Sequence, residues 1–155
     1  MFRTLRVIFC AFMIIGTMGA GSKILGSADG ETPGQRIDVT QFKRISGNMV
    51  YLQFVLVNNT NAAIGMDSFM VGEQTTSDYL TIAGVYLDDG STKYTVVRDA
   101  QHQCVCSSHL SFLVPKAKMN LWAKFPAPAA SVTKLNVNVP RFPPVTDVPL
   151  RPLSK

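Results

Sequence analysis

The segment from Gln101 to His109 reads QHQCVCSSH and gathers both histidines of the chain with two of its three cysteines. His102, Cys104, Cys106 and His109 could serve as nitrogen and sulfur ligands, so a metal site, a disulfide and a thiol-redox pair compete for the same residues. Structural zinc takes four ligands at tetrahedral angles, usually from two separated pairs. In an extended segment His102, Cys104 and Cys106 would line one face and His109 the other. Such a row closes around one ion only if the backbone curls. Copper(I) accepts two thiolates and would take a methionine such as Met66 or Met70, but nothing in the sequence brings either close. A redox pair would use a helix N-terminus to stabilise a thiolate, and none adjoins these cysteines. A disulfide asks least. Residues i and i+2 of a strand share a face near the upper Cα separation of about 6.8 Å that a bridge tolerates, and a bend at Val105 brings them into range. The expectation is a local Cys104–Cys106 bridge without metal or cofactor. The four-residue metal set and the redox pair stand as its alternatives.

Catalytic arrangements are weaker still. His102 or His109 could act as a base beside Ser107 or Ser108, with Asp99 upstream, yet a triad is assembled from distant segments. The sequence has no G-x-S-x-G turn and no His-Glu-x-x-His pair. Asp88-Asp89-Gly90 could open a calcium loop, but Ser91, Thr92 and Lys93 follow where alternate acids should stand. Asn58-Asn59-Thr60 matches a glycosylation acceptor and equally a turn. Enzyme activity is not expected. One residue points to binding instead. In LWAKF, Leu121, Ala123 and Phe125 share a face, which leaves Trp122 beside Lys124 on the other. Exposed there, a tryptophan anchors a partner; covered, it is a core residue.

Whether two thiols close depends on the compartment, and the N-terminus addresses that. Arg3 and Arg6 precede the apolar run VIFCAFMIIG, and small residues follow from Gly19 to Ser22. That is the order of a secretory signal peptide. The run is shorter than the about 20 apolar residues of a membrane span, so a membrane association is expected only through the leader if it stays uncut. Gly26-Ser27-Ala28 before Asp29 fits the small-x-small rule best, with Gly19-Ala20-Gly21 before Ser22 as the rival. Cutting after Ala28 removes Cys10 and leaves 12 basic against 10 acidic residues, a net charge of +2. The remaining Lys and Arg are scattered without interleaved aromatics along the chain, so a nucleic-acid partner is not expected. Export to the periplasm or beyond is.

The boundaries that follow are a leader over 1–28, a flexible lead-in over 29–35, a folded domain over 36–150 and a tail over 151–155. The whole stretch GSADGETPG is read as polar and mobile. From Arg36 onward the pattern has period two. Ile37 and Val39 oppose Asp38 and Thr40, and Val50, Leu52, Phe54 and Leu56 form a wholly apolar set in MVYLQFVLV. DYLTIAGVYL (78–87) and KYTVV (93–97) flank Asp89-Gly90, a hairpin signal. NLWAKF and KLNVNV add two strands, the latter with Leu135, Val137 and Val139 inward and Lys134, Asn136 and Asn138 outward. The last 16 residues hold five of the nine prolines and can supply at most an edge strand. Six or seven strands without a long helical period predict an all-β antiparallel β-sandwich of immunoglobulin-like type, with a small barrel as runner-up.

The strings LDDGSTKYTVVRDAQHQCVCSS, LVPKAKMNLWAKF and FPAPAASVTKLNVNVPRFPPVTDVPL resemble the immunoglobulin-like accessory domains of exported bacterial proteins. Some of those stand alone and some precede an OmpA-type peptidoglycan-binding domain. The resemblance covers residues 36 to 150 and implies an envelope or secreted β-sandwich with no catalytic residues to carry over. No OmpA-type domain follows Leu150, so anchoring by that route is not expected. A protein-binding or accessory module is the function implied, contacting an envelope or extracellular protein through the loops 100–109 and 62–77. A periplasmic metal or thiol-redox protein and a structural subunit of an envelope complex are the rivals.

Overall fold

A computed structural model describes residues 23–66 and 80–153, and residues 1–22, 67–79 and 154–155 lie outside it. Ten strands occur among the described residues: β1 (Gly26–Asp29), β2 (Gln35–Ile45), β3 (Met49–Asn58), β4 (Ile64–Gly65), β5 (Tyr86–Asp88), β6 (Lys93–Thr95), β7 (Phe112–Leu113), β8 (Lys118–Pro126), β9 (Lys134–Asn138) and β10 (Val145–Pro149). One sheet runs β1-β2-β3-β8, the second runs β10-β9-β5-β6, and β4 pairs with β7 alone. Every named strand pair is antiparallel. The chain is an all-β antiparallel sandwich. Its ten strands exceed the six or seven expected because β4 and β7, at two residues each, are too short to show a period and β1, GSAD, is too poor in β-formers.

The alternating residues form the core. Val50, Leu52, Phe54 and Leu56 of β3 and Leu121, Ala123 and Phe125 of β8 have no solvent exposure. They share one cluster with Leu87, Leu135, Val137 and Val148 of the second sheet. Each large side chain buried this way stabilises the fold by roughly 1.5–3 kcal/mol.

β2 departs from simple alternation. Val39 pairs with Phe54 and Gln41 with Gln53, so Thr40 is an extra residue, a β-bulge. Its hydroxyl donates to the Gln53 carbonyl at 3.3 Å. Thr40, expected to face water, is buried in consequence. The insertion reverses the phase of the strand. Ile37 and Val39 point inward before it, and Phe42 points inward after it.

The expected strand over 78–87 contracts to β5; Asp78 and Tyr79 lie outside the described residues. Leu80 takes a positive φ of 58°, the Thr81 hydroxyl accepts a bond from the Ala83 N–H, and Val85 N–H donates to Ile82. A threonine bonded to its own backbone offers the chain a turn in place of a ladder. The Asp-Gly hairpin follows as expected, with Asp88 paired to Lys93 and Gly90 at φ 89°. Asp89 accepts bonds from the N–H groups of Ser91 and Thr92, the Ser91 hydroxyl and the Tyr94 phenol, which hold its carboxyl well below the usual range. Asp88 is taken up by Asn136 and Asn138 at 3.0 and 2.6 Å, so these polar residues of β9 tie two strands together, and Asn138 is buried rather than outward.

A segment read as a mobile lead-in and a residue assigned to the tail are both structural. Gly26–Asp29 is not a lead-in: it is paired along its length with Arg36–Val39. Arg151 is not free tail, since its N–H donates to Phe42 O and its carbonyl accepts from Arg44 N–H. Beyond Gly26, the first residue of β1, Arg151 thus continues the covering of β2. The Arg44 guanidinium bonds the carbonyls of Pro128, Ala129 and Val132, pinning the crossing from the first sheet to the second. β10 is the edge strand that the proline-rich C-terminal segment allowed.

Candidate functional site

The QHQCVCSSH segment seals the open edge of β8. Val97 N–H donates to Lys124 O, Lys124 N–H to Val105 O, and Ser107 N–H to Trp122 O. Trp122 N–H in turn donates to the Ser107 hydroxyl at 2.9 Å. A sheet edge left bare would present a row of unpaired polar groups to other chains. Cys104 and Cys106 stand at disulfide distance within this cover, their Cα atoms 5.3 Å apart. The bend comes at Val105, which bonds Val97 on one side and Lys124 on the other.

The other candidate ligands and catalytic groups are dispersed. A tight turn, not an extended strand, carries His102: its φ is 61°, and its N–H donates to Asp99 O. His109 also has a positive φ, 58°, and both histidines are exposed. Among the described residues no three His, Cys, Asp or Glu side chains converge as metal ligands, so the set His102, Cys104, Cys106 and His109 is not brought together. Asp99, the candidate orienter, caps the turn by accepting from the N–H groups of Gln101 and Gln103. Ser107 is buried with its hydroxyl engaged by Trp122, and Ser108 is exposed. Of the two candidate contact loops, 62–77 is described only to residue 66.

A bridge closing three residues constrains the unfolded chain little. Loop entropy limits its contribution to about 1.6 kcal/mol. Replacing both cysteines by alanine is therefore expected to lower the melting temperature by no more than about 6 °C. The oxidised wild type should weigh about 2 Da less than its reduced form, the mass of two thiol hydrogens. Loss of folding on reduction would show that the bridge holds far more than a local bend.

Asn58 cannot act as a glycan acceptor in the folded chain. It has no solvent exposure, and its amide nitrogen is spent on the carbonyls of Ala62, Leu113 and Val114. The turn reading accounts for the same residues, because Asn58 Oδ1 accepts from Thr60 N–H and Thr60 Oγ1.

Trp122 lies where strand parity puts it, on the outer face of the first sheet, half-buried rather than in the core. It stacks on Tyr51 with ring centroids 6.1 Å apart and planes 20° from parallel. Lys43 and Lys124 are the cross-strand partners of Tyr51 on its two sides. The Lys43 ammonium sits 5.7 Å from the Tyr51 ring centroid. Burial pushes the Tyr51 phenol above its ordinary value. Gln53 lies between Gln41 and Trp122 in the next row. Towards the far end of the face Asp38 is held by Arg36 and by the Ser27 hydroxyl, so its charge is answered locally. Reading residues in chain order found Trp122 beside Lys124 along β8 but missed Tyr51 and Lys43, which join them only across strands. The register of β2, β3 and β8 creates the patch.

Compared with known protein families, with curated proteins and with solved structures, the chain matches none.

Proposed function

We propose that the protein is a non-enzymatic, exported β-sandwich of immunoglobulin-like type that binds a partner protein of the cell envelope through the outer face of its first sheet. The observation that carries this is the row Lys43–Tyr51–Lys124 with Trp122 stacked beside it. Stacked rings present rigid apolar area at low entropic cost, and tryptophan and tyrosine are the residues on which binding energy concentrates. Two lysines bracket them, while the acids of the face, Asp29 and Asp38, stand at its far end beside Arg36, and Asp38 is engaged by it. The complementary partner surface is acidic around an apolar ridge. Export rests on the Arg3/Arg6 leader, and an oxidising compartment accords with two cysteines at disulfide distance.

A photo-cross-linking residue at position 53, next to Trp122, is expected to trap a defined partner in intact cells, and one at Thr146 on the second sheet is not. Lys43→Glu with Lys124→Glu should reduce the trapped product about tenfold or more, since like charges across an interface oppose docking. Equal trapping at both positions, or capture indifferent to the charge reversal, would remove this reading.

A further inference from the structure

We infer that a leader peptidase cuts this chain between Gly21 and Ser22, so that the mature protein begins four residues ahead of β1. This rests on the export reading above and goes beyond it by naming the processing site. The step is hydrolysis: water adds across the Gly21–Ser22 peptide bond, leaving a carboxylate on Gly21 and an ammonium on Ser22.

Small-x-small spacing alone favours Gly26-Ser27-Ala28. A cut after Ala28 would delete three of the four residues of β1. Those residues are built into the sandwich. They pair in register with Val39, Asp38 and Ile37, and Leu25 N–H just ahead of them donates to Val39 O at 2.7 Å. Ala28 belongs to the core cluster, and Leu25 packs against it. The Ser27 hydroxyl donates to Asp38 Oδ1 at 2.7 Å, and Asp38 is 6% exposed. Removing the donor would strip a buried carboxylate of one of its partners, and such a loss costs more than a hydrogen bond contributes. Gly26 fits against Val145 so closely that a Cβ there would stand 2.6 Å from the valine Cγ1. β1 thus fills the line where the first sheet's edge meets β10 of the second. A product lacking it would leave Val39 and Asp38 at an open edge.

Gly19-Ala20-Gly21 supplies the other small-x-small site. Cutting after it removes Arg3, Arg6 and the whole apolar run, and it keeps every residue of β1. The peptidase acts on an extended chain during export, before folding can hide either site. The surviving sequence must still specify the fold. Only the upstream cut leaves β1 to do so.

The full chain, expressed in a bacterium with a general secretory pathway, is expected to yield an exported species whose intact mass begins at Ser22. Ser22→Pro, which places proline directly after the cut and ahead of β1 in the sequence, should accumulate the precursor. An exported species beginning at Asp29 or at any other residue overturns the assignment and leaves export standing, as does normal processing of Ser22→Pro. Uncut protein in the cytosol, Met1 retained, overturns both the assignment and the export reading.

Discussion

Asn58→Asp is expected to destabilise the protein by about 3–5 kcal/mol at neutral pH, the range for an uncompensated buried charge. Against a total stability of roughly 5–15 kcal/mol, such a loss could leave the variant largely unfolded. The change alters one group of the side chain and almost no volume. Its severity comes from what surrounds that group. Nδ2 of Asn58 donates at 2.8, 3.2 and 3.2 Å to the carbonyls of Ala62, Leu113 and Val114. Its backbone N–H donates to Ala117 O, so one fully buried residue joins the end of β3, the following turn, β7 and the chain just after it. A carboxylate keeps the two bonds from Thr60 to Oδ1, but it turns a second anionic oxygen on three carbonyls.

That repulsion favours the neutral acid, so the new carboxyl titrates in the folded state above its unfolded value of about 3.9. A raised carboxyl pKa gives stability that is fully present below the unfolded pKa and lost as pH rises through the folded one. The deficit of Asn58→Asp relative to wild type should therefore shrink as pH falls from 7 towards 4.5. Asn58→Ala, which leaves carbonyls unpaired without adding charge, should show a deficit that pH does not change. Urea unfolding of the three proteins at both pH values decides the matter. A deficit for Asn58→Asp equal at both would mean that water reaches the site and solvates the charge.

Strands buried on one face were readable in advance, and the reason is physical. β3 as far as Leu56, β8, and β9 as far as Val137 keep strict alternation, so Leu52, Phe54, Leu121, Phe125, Leu135 and Val137 declare the core and Tyr51 and Trp122 declare the outer face. β2 could not be read through, because the bulge at Thr40 has no signature in residue type and re-phases everything after it. By parity Lys43 would have joined Ile37 and Val39 inside; only the bulge brings it out over Tyr51. β1 was hidden for the opposite reason. Its GSAD carries almost no apolar signal, and it is a strand because Gly26 and Ala28 fit a gap that two sheets create. The segment 80–85 was overread. Leu, Ile and Val there supply β-propensity, but Thr81 closes a turn locally, and Ile82 and Val85 reach the core from loop positions. The cysteine pair was legible from spacing, whereas the sealing of β8 by its hairpin depends on cross-chain register.

Gly26→Val sets local propensity against packing in the same strand. Valine is a strong β-former, and by propensity alone it should strengthen β1. The expected result is a loss of about 1–3 kcal/mol, the cost of overpacking a filled core. A Cβ at Gly26 would meet Val145 Cγ1 at 2.6 Å and Val148 Cγ2 at 3.7 Å. Val145 is held opposite Val137, and a bulge already occupies the stretch between Val145 and Val148, so β10 has little room to withdraw. β1 must yield, and its yielding would loosen Ser27 from Asp38 and Ala28 from the core. Asp29→Val, in the same strand at an exposed position, meets no such neighbour and should shift stability by no more than about 0.5 kcal/mol. Thermal melts of the two variants separate the explanations. Equal and small effects would mean that β1 is a loose appendage; a large loss confined to position 26 would make it the strip along which the two sheets close.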